Sequence, residues 1–284
     1  MSLRRKPLET KAQEPIQVVH DIHAGNAELK YIRFKVVDLA EGAVYKAETN
    51  NTEACVVILT GKADVTGGGE TFTGIGKRKS VFDKEPTDSV YVSVDTALEI
   101  KAVSDATIAL CCSPADRKKP TTLIAAEDVR MEHRGEGNNK RMVFNILPDD
   151  VSYAQHLLVV EVITESGNWS SYPPHKHDEN RLPEESLLEE TYYHEQEPPQ
   201  GFVFQRVYTD DRSLDETMTV ENRDVVLVPK GYHPVGVPEG YTSYYLNVMA
   251  GPERIWKFKN DPDHEWIINR NHREGGRADG NHIQ

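Results

Sequence analysis

The sequence is poor in cysteine and in long apolar segments. Its 284 residues include three cysteines, Cys55, Cys111 and Cys112, which form neither a CxxC pair nor the spacing of a disulfide framework. Such sparse use of cysteine favours a reducing compartment. The first residues lack the apolar run of a secretion signal, and no segment approaches the ~18 apolar residues of a membrane-spanning helix. We therefore expect a cytoplasmic protein.

Positive charge is also in deficit. The 33 lysines and arginines are outnumbered by 46 aspartates and glutamates, which gives a formal net charge of -13. A surplus of this sign disfavours nucleic acid and anionic membranes as partners. It does not exclude a small organic acid, because one or two local basic side chains can bind a single carboxylate. A chain of this length suffices for two domains of ordinary size.

Short strand signals fill both halves of the chain. Residues 1–28 are polar and are predicted to form an arm, and residues 29–115 contain apolar runs rich in Val, Ile and Thr that are broken by turn signals. A charged linker is predicted over residues 116–141, and the strand pattern resumes over 142–268 before a polar tail at 269–284. We expect an all-β protein with two antiparallel barrels in tandem and only short helices.

Histidine is nearly absent from the first half. Of eleven histidines, only His20 and His23 precede residue 130, and both lie before the first predicted strand. Any histidine-based site must therefore lie in the second half. There His175 and His177 form an HxH pair, and on a strand both imidazoles would point to one face and could bind the same ion.

Two glutamates follow this pair after an insert. Residues 178–188 contain a proline and several charges and are predicted to form an exposed loop. On the next predicted strand, Glu190, Tyr192 and His194 share one face, whereas Glu189 lies on the other. Either glutamate is a candidate carboxylate ligand.

A third histidine follows a turn further along the chain. The apolar run 224–228 ends in a Pro-x-Gly turn that is followed by His233. A lone HxH is more often a surface pair than a metal site, but an HxH, a glutamate and a Pro-x-Gly-x-His in this order predict one divalent metal ion. Three imidazoles and one carboxylate suit Zn, Mn, Fe, Co or Ni, and zinc is the default for chemistry without redox change.

The order of these motifs resembles the cupin signature, whose first motif supplies two histidines and a glutamate and whose second supplies a third histidine. The long insert and a second motif one residue shorter than usual depart from that signature. Residues 168–178, 201–209, 226–234 and 244–252 further resemble the 5-deoxy-glucuronate isomerases of myo-inositol catabolism, which are related to the 5-keto-4-deoxyuronate isomerases.

The resemblance implies two cupin barrels of the double-stranded β-helix or jelly-roll type, of which the first, residues 29–115, is degenerate and lacks metal ligands. It implies His175, His177, Glu190 and His233 as the metal ligands, since the Glu-x-Tyr context favours Glu190 over Glu189. The implied reaction is an aldose–ketose isomerisation that converts 5-deoxy-D-glucuronate to 5-dehydro-2-deoxy-D-gluconate.

Several residues are candidates for work on this substrate. His194, Tyr192 and Tyr245 could transfer protons, although a hydride shift would need no base. The substrate carboxylate needs a cationic partner, for which the sequence offers three candidates. They are Arg206, Lys176 and Arg181.

Two other functions are compatible with a cupin metal site. One is a dioxygenase that acts on a small organic acid, and the other is a cupin that binds a sugar acid without turnover. Cupins also associate through sheet edges and arms, so we expect a homo-oligomer.

Overall fold

The computed structural model describes residues 2–9 and 14–269. Within these ranges the regular structure consists of strands and four short 3-10 helices. The first half contains β1 (Arg4–Arg5), β2 (Ile16–Ile22), β3 (Arg33–Leu39), β4 (Val44–Glu48), β5 (Thr52–Thr60), β6 (Ala63–Gly67), β7 (Glu70–Ile75), η1 (Val81–Asp83), β8 (Ser89–Val92), β9 (Ala97–Ala102), β10 (Ala106–Pro114), β11 (Thr122–Ile124) and η2 (Ala126–Asp128).

The second half continues in the same manner, with short strands joined by turns. It contains β12 (Arg130–Arg134), η3 (Gly137–Asn139), β13 (Arg141–Leu147), β14 (Leu157–Thr164), β15 (Trp169–Ser170), β16 (His175–Lys176), β17 (Asp178–Arg181), β18 (Glu185–Leu187), β19 (Glu189–Glu197), β20 (Phe202–Tyr208), β21 (Asp215–Glu221), β22 (Val225–Val228), β23 (Val235–Gly236), β24 (Thr242–Ala250), β25 (Lys259–Asn260) and η4 (Glu265–Asn269).

The first barrel consists of two antiparallel sheets, ordered β11-β8-β5-β10-β3-β2 and β4-β9-β6-β7. Alternate residues of their strands point inward and form a core of branched aliphatic side chains such as Val37, Val56, Ile58, Ile100 and Ile108. These side chains fill the space that a ligand would need. Among the described residues, the groups of side chains able to hold a metal ion all lie in the second barrel.

The second barrel has a seven-stranded sheet, ordered β1-β22-β19-β24-β14-β13-β12, and a four-stranded sheet, ordered β15-β23-β20-β21. Its apolar core combines aliphatic side chains such as Val160, Val203 and Val226 with the aromatic rings of Tyr192 and Tyr245. The two barrels pack against each other through a shared apolar cluster that includes Phe34, Val57, Phe144 and Tyr244. The prediction of an all-β protein built from two barrels is confirmed.

Segments expected to be irregular contribute strands. Within the predicted arm, β2 pairs with β3 of the first barrel and β1 pairs with β22 of the second, so the N-terminal segment links both barrels. Within the predicted linker, β11 pairs with β8 and β12 pairs with β13. The 178–188 insert forms a hairpin of β17 and β18. The pairing of these edge strands is determined by tertiary contacts that local sequence does not reveal.

The predicted C-terminal tail, residues 269–284, lies outside the described residues except at its first position. Across the residues that the structure does describe, no helix is both long enough and apolar enough to span a membrane.

Candidate active site

A cavity of about 570 Å³ opens into the second barrel. Inward-facing residues of β12, β13, β14, β19 and β24 form its wall because alternate side chains of a strand point to the same face. Trp256, Phe258 and Asn260, together with the segment before β16, form much of the remainder. The cavity contains both aromatic surface and ionisable groups, as expected of a site for a small polar ligand.

Three of the predicted metal ligands converge at this cavity. The candidate ligand atoms of His177, Glu190 and His233 all lie within 4.8 Å of one another. Oε2 of Glu190 is 3.1 Å from Nε2 of His177 and 3.1 Å from Nε2 of His233. All three side chains are buried. Two imidazoles and a carboxylate form a donor set that suits a transition-metal ion.

Backbone carbonyls orient both imidazoles. Nδ1 of His177 donates to the carbonyl oxygen of Leu188 at 2.9 Å, and Nδ1 of His233 donates to that of Gly231 at 2.8 Å. Since a carbonyl only accepts, Nδ1 carries a proton in each ring, and in the neutral ring the lone pair of Nε2 is available to a metal ion. Nε2 of His233 is buried, and its 3.1 Å approach to Oε2 of Glu190 does not have the geometry of a hydrogen bond. Metal-binding histidines usually have their second ring nitrogen hydrogen-bonded in this way, as Nδ1 is bonded to a carbonyl here. The residues therefore fit a metal ion.

The turn before His233 requires glycine. Gly231 has a φ of +94°, and a Cβ at this position would lie 2.5 Å from the carbonyl oxygen of Tyr208. Only glycine adopts this backbone conformation without strain and without a clash. The Pro-x-Gly motif thus brings the chain close to β20 and directs His233 into the barrel.

The charge states of Glu190 and His175 also suit a metal. Burial alone would raise the pKa of Glu190, but the nearby His233 and His177 lower it, so the carboxylate is ionised at neutral pH. Burial lowers the pKa of His175 well below its usual value, and His233 and His177 lower it further. An ionised carboxylate and a neutral imidazole are the forms that bind metal ions.

His175 lies beside the cluster of three. Its ring centroid is 5.0 Å from that of His233 and 6.4 Å from that of His177. The ring also packs on Phe258, with a centroid distance of 4.5 Å. Its role as the fourth ligand stays a prediction.

The two candidate glutamates occupy opposite faces of β19. Glu190 lines the cavity. The Glu189 carboxylate instead accepts the backbone N–H groups of Lys30, at 2.8 and 2.9 Å, and of Tyr31, at 2.8 Å, between the barrels. The structure therefore favours Glu190 as the ligand and gives Glu189 a structural role.

Two of the three predicted proton-transfer residues line the cavity. Tyr192 and Tyr245 are both buried, their ring centroids are 4.9 Å apart, and burial raises the pKa of each phenol. The hydroxyl oxygen of Tyr192 is 3.0 Å from that of Ser171. Both phenols are therefore protonated at neutral pH, and each has a proton that it can donate.

His194 lies deeper in the barrel and is not among the residues that line the cavity. Its Nε2 donates to Oε1 of Gln205 at 3.0 Å, and burial lowers its pKa to about 4. The ring stacks on Tyr192 with a centroid distance of 5.9 Å. If His194 takes part in proton transfer, the proton must reach the substrate through Tyr192 or Tyr245.

The three predicted partners of the substrate carboxylate lie away from the cavity lining. Nζ of Lys176 is 2.5 Å from Asp178 and 3.1 Å from Glu185, and its charge is thereby compensated. Arg181 is exposed and paired with a neighbouring glutamate. Arg206 forms two hydrogen bonds of 2.7 Å with Asp215 and lines a different groove.

Sequence reasoning missed other residues at the site. Asn247 donates to Oε1 of Glu190, and its alternation with Tyr245 on one strand was the signal that could have identified it. Arg134 and Arg141 line the cavity, but no local pattern indicated them because their segment resembled a linker.

Comparison with known proteins gives concordant results. The sequence profile of the KduI/IolB family matches residues 3–267. The 5-deoxy-glucuronate isomerase of Halalkalibacterium halodurans is 65% identical over 266 residues, which cover 94% of this chain and 98% of the relative. That of Bacillus subtilis strain 168 is 63% identical over 268 residues, with 94% and 99% covered.

Solved structures support the same assignment. An IolB-like protein from Salmonella typhimurium superposes with a TM-score of 0.90 at 45% identity, covering 94% of this chain and 100% of the other. The oxalate decarboxylase of Lactobacillus farciminis superposes with a TM-score of 0.67 at 14% identity, covering 95% and 90%, and this likeness confirms the cupin fold alone. On the profile match and on identity along nearly its whole length, this chain belongs to the KduI/IolB family.

Proposed function

We propose that this protein is a metal-dependent 5-deoxy-glucuronate isomerase that produces 5-dehydro-2-deoxy-D-gluconate. The observation that carries the proposal is the buried cluster of His177, Glu190 and His233 at a polar cavity, in a chain 65% identical to a protein named for this activity. The reaction needs no external redox cofactor. It converts an aldehyde at C1 and a hydroxyl at C2 into a hydroxyl at C1 and a ketone at C2.

His177, Glu190 and His233 would hold the ion, with His175 as the fourth ligand. A bound divalent ion would supply Lewis-acid polarisation of the carbonyl and its neighbouring hydroxyl. Zinc is the ion we propose, since the reaction involves no change of metal oxidation state.

The tyrosines act on the oxygen atoms of the substrate. O1 gains a proton during the reaction and O2 loses one, so a donor beside O1 lowers the barrier. Tyr192 is our candidate for that donor, because its ring lies next to His233, at 5.8 Å between centroids, and its phenol stays protonated at neutral pH. The hydrophobic rings of Tyr192, Tyr245 and Phe258 also limit the water that reaches this end of the cavity.

The cytoplasm is the compartment we propose. Cys55, Cys111 and Cys112 are all free thiols, as is usual for proteins of a reducing compartment.

The test combines metal analysis with an isomerase assay on 5-deoxy-glucuronate. We expect about one metal ion per chain, loss of activity on chelation and recovery on addition of zinc. His177→Ala should lose both the metal and the activity, whereas His133→Ala, at an exposed histidine outside the cluster, should keep both.

Each other outcome supports a different function. Bound metal without turnover would favour a cupin that binds a sugar acid. Oxygen uptake with Fe(II) and no isomerisation would favour a dioxygenase. A wild-type protein without metal that still isomerises the substrate would contradict the metal site. Deuterium at C1 of product formed in D2O would exclude a hydride shift, because a hydride moves directly between the carbons and does not exchange with solvent.

A further inference from the structure

Two arginines face each other across the cavity wall. Arg134 of β12 and Arg141 of β13 are direct partners in the antiparallel ladder, and both line the cavity. Like charges directly opposite each other in a sheet are unfavourable. The charge of Arg134 accordingly contributes to lowering the pKa of Arg141, after the larger effect of burial.

Among the described residues, one carboxylate, that of Glu132, pairs with these arginines, and it also contacts Arg130. Nε of Arg134 donates to Oε2 of Glu132 at 2.8 Å, and the Arg134 guanidinium also lies over the ring of Trp256. Arg141 has a hydrogen bond of 2.9 Å from Nη1 to the carbonyl oxygen of Asn139, and it forms no ion pair with any described carboxylate. Among the residues that the structure describes, Arg141 therefore lines the cavity without a carboxylate partner.

The contrast with other arginines is informative. Arg78, Arg206 and Arg223 each form a two-point interaction with a carboxylate. Arg141 is partly buried, as Arg206 and Arg223 are, but retains most of its N–H donors for another partner. A guanidinium presents its donors in a planar fork that matches a carboxylate.

The position of Arg141 matches the shape of a sugar acid. Arg141 lines the same cavity as His175 and Glu190, so a ligand bound at the cluster lies in the same space as the guanidinium. A chain-like sugar acid has its carbonyl at one end and its carboxylate at the other. With the carbonyl at the cluster of His177, Glu190 and His233, the carboxylate would extend towards β13.

We propose that Arg141, flanked by Arg134, binds the carboxylate of the sugar acid and sets the preference of the cavity for acids over neutral sugars. This inference rests on the proposed function for the identity of the ligand. It assigns the role that the sequence had suggested for Arg206, Lys176 or Arg181 to a residue that lines the cavity.

The test uses ligands that cannot isomerise. The substrate reduced to an alcohol at C1 keeps its carboxylate, and its C6 carboxamide has the same shape without the charge. Calorimetry with zinc-loaded wild-type protein should show that the acid binds about 10- to 100-fold more tightly than the amide. Arg141→Met should weaken binding of the acid by the same factor and leave binding of the amide unchanged. Arg141→Lys, which keeps the charge but not the fork, should recover part of the loss.

Arg206→Met is the matched control, because Arg206 is paired with Asp215 outside the cavity. It should bind the acid as the wild type does, and melting curves should show that each variant is folded. The proposal is overturned if Arg141→Met binds the acid as tightly as the wild type, if Arg206→Met loses the preference, or if the wild type binds neither ligand.

Binding and turnover separate the two proposals. If Arg141 governs binding of the acid but the wild type does not isomerise the aldehyde, the proposed function fails and the carboxylate site stands. If the wild type isomerises the aldehyde and Arg141→Met keeps the same KM, the carboxylate site fails alone.

Discussion

The side-chain amide of Asn247 donates a hydrogen bond of 2.5 Å to Oε1 of Glu190. The other oxygen, Oε2, is the one that faces the imidazoles of His177 and His233. Asn247 thus fixes the rotation of the carboxylate so that one oxygen is directed to the cluster. Partners of this kind typically change metal affinity by 10–100-fold when they are removed.

We therefore expect Asn247→Leu to bind zinc about 10- to 100-fold more weakly than the wild type. Competition with a chromogenic chelator measures this affinity directly and does not depend on turnover. Asn145→Leu is a suitable control, since Asn145 is a buried asparagine on a nearby strand that bonds to Arg130 and Glu132 instead. Equal zinc affinity in the Asn247 variant and the wild type would show that the carboxylate needs no such support.

The sequence predicted the strands that carry a strong apolar pattern. Leu157–Thr164 and Phe202–Tyr208 form over the predicted residues, because β-branched and aromatic side chains suit a buried strand. The convergence of His177, Glu190 and His233 was also predictable, because these residues lie in motifs with fixed local geometry.

Residues that act across the sheet could not be predicted in this way. Arg141 reaches the cavity only because β12 and β13 extend the seven-stranded sheet, and no residue near it in sequence indicates that pairing. His20 was expected in a polar arm but is buried on β2, where Nε2 contacts the backbone of Arg223. Contacts over such sequence separations depend on the completed fold.

Tyr192→Phe should lower kcat by roughly 10²- to 10⁴-fold while KM changes little. The variant keeps the buried ring and removes only the hydroxyl that we propose as the proton donor. Steady-state kinetics at a fixed zinc concentration tests this expectation.

Two companion variants locate the effect. Tyr245→Phe removes the other phenol of the cavity, and His194→Gln removes the imidazole that packs behind the two tyrosines. Both variants should retain more activity than Tyr192→Phe. A larger loss of kcat in His194→Gln would restore His194 as the proton-transfer residue.

A buried ion pair joins the two barrels. Nη1 of Arg78 donates to Oε2 of Glu161 at 3.2 Å, the hydroxyl of Tyr244 donates to Oε1 at 2.6 Å, and the side chains of the ion pair are fully buried. Arg78→Met would leave the Glu161 charge uncompensated, so we expect the free energy of unfolding to fall by about 3–5 kcal/mol. Denaturant titration of the metal-loaded protein measures the change.

A surface pair provides the comparison. Nζ of Lys84 is 2.6 Å from Glu165 and also joins the two barrels, but both side chains are largely exposed. Lys84→Met should therefore cost less than about 1 kcal/mol. The double variant Arg78→Met with Glu161→Leu should recover much of the lost stability, because neither charge then remains buried alone. Equal losses in the single and double variants would point to packing rather than charge.

His20 makes stability depend on pH. Its ring is buried, Nε2 donates to the carbonyl oxygen of Arg223 at 2.7 Å, and burial lowers its pKa to about 4. The unfolded chain binds a proton near the ordinary pKa of about 6.5, so below that pH the unfolded state takes up more protons than the folded state. The stability that the neutral ring contributes is present above pH 6.5 and is lost as the pH falls towards 4.

His20→Gln keeps a donor for the Arg223 carbonyl but does not titrate. Between pH 7 and pH 5 the wild type should therefore lose about 2 kcal/mol more of its free energy of unfolding than this variant does. Comparing the two proteins at each pH cancels the titration of every other group, including the cluster around Glu190. His23→Gln, at an exposed histidine in the following turn, should show the pH dependence of the wild type. If His20→Gln and the wild type lose the same stability over this interval, the ring of His20 becomes protonated without losing its contact with Arg223, and the prediction is wrong.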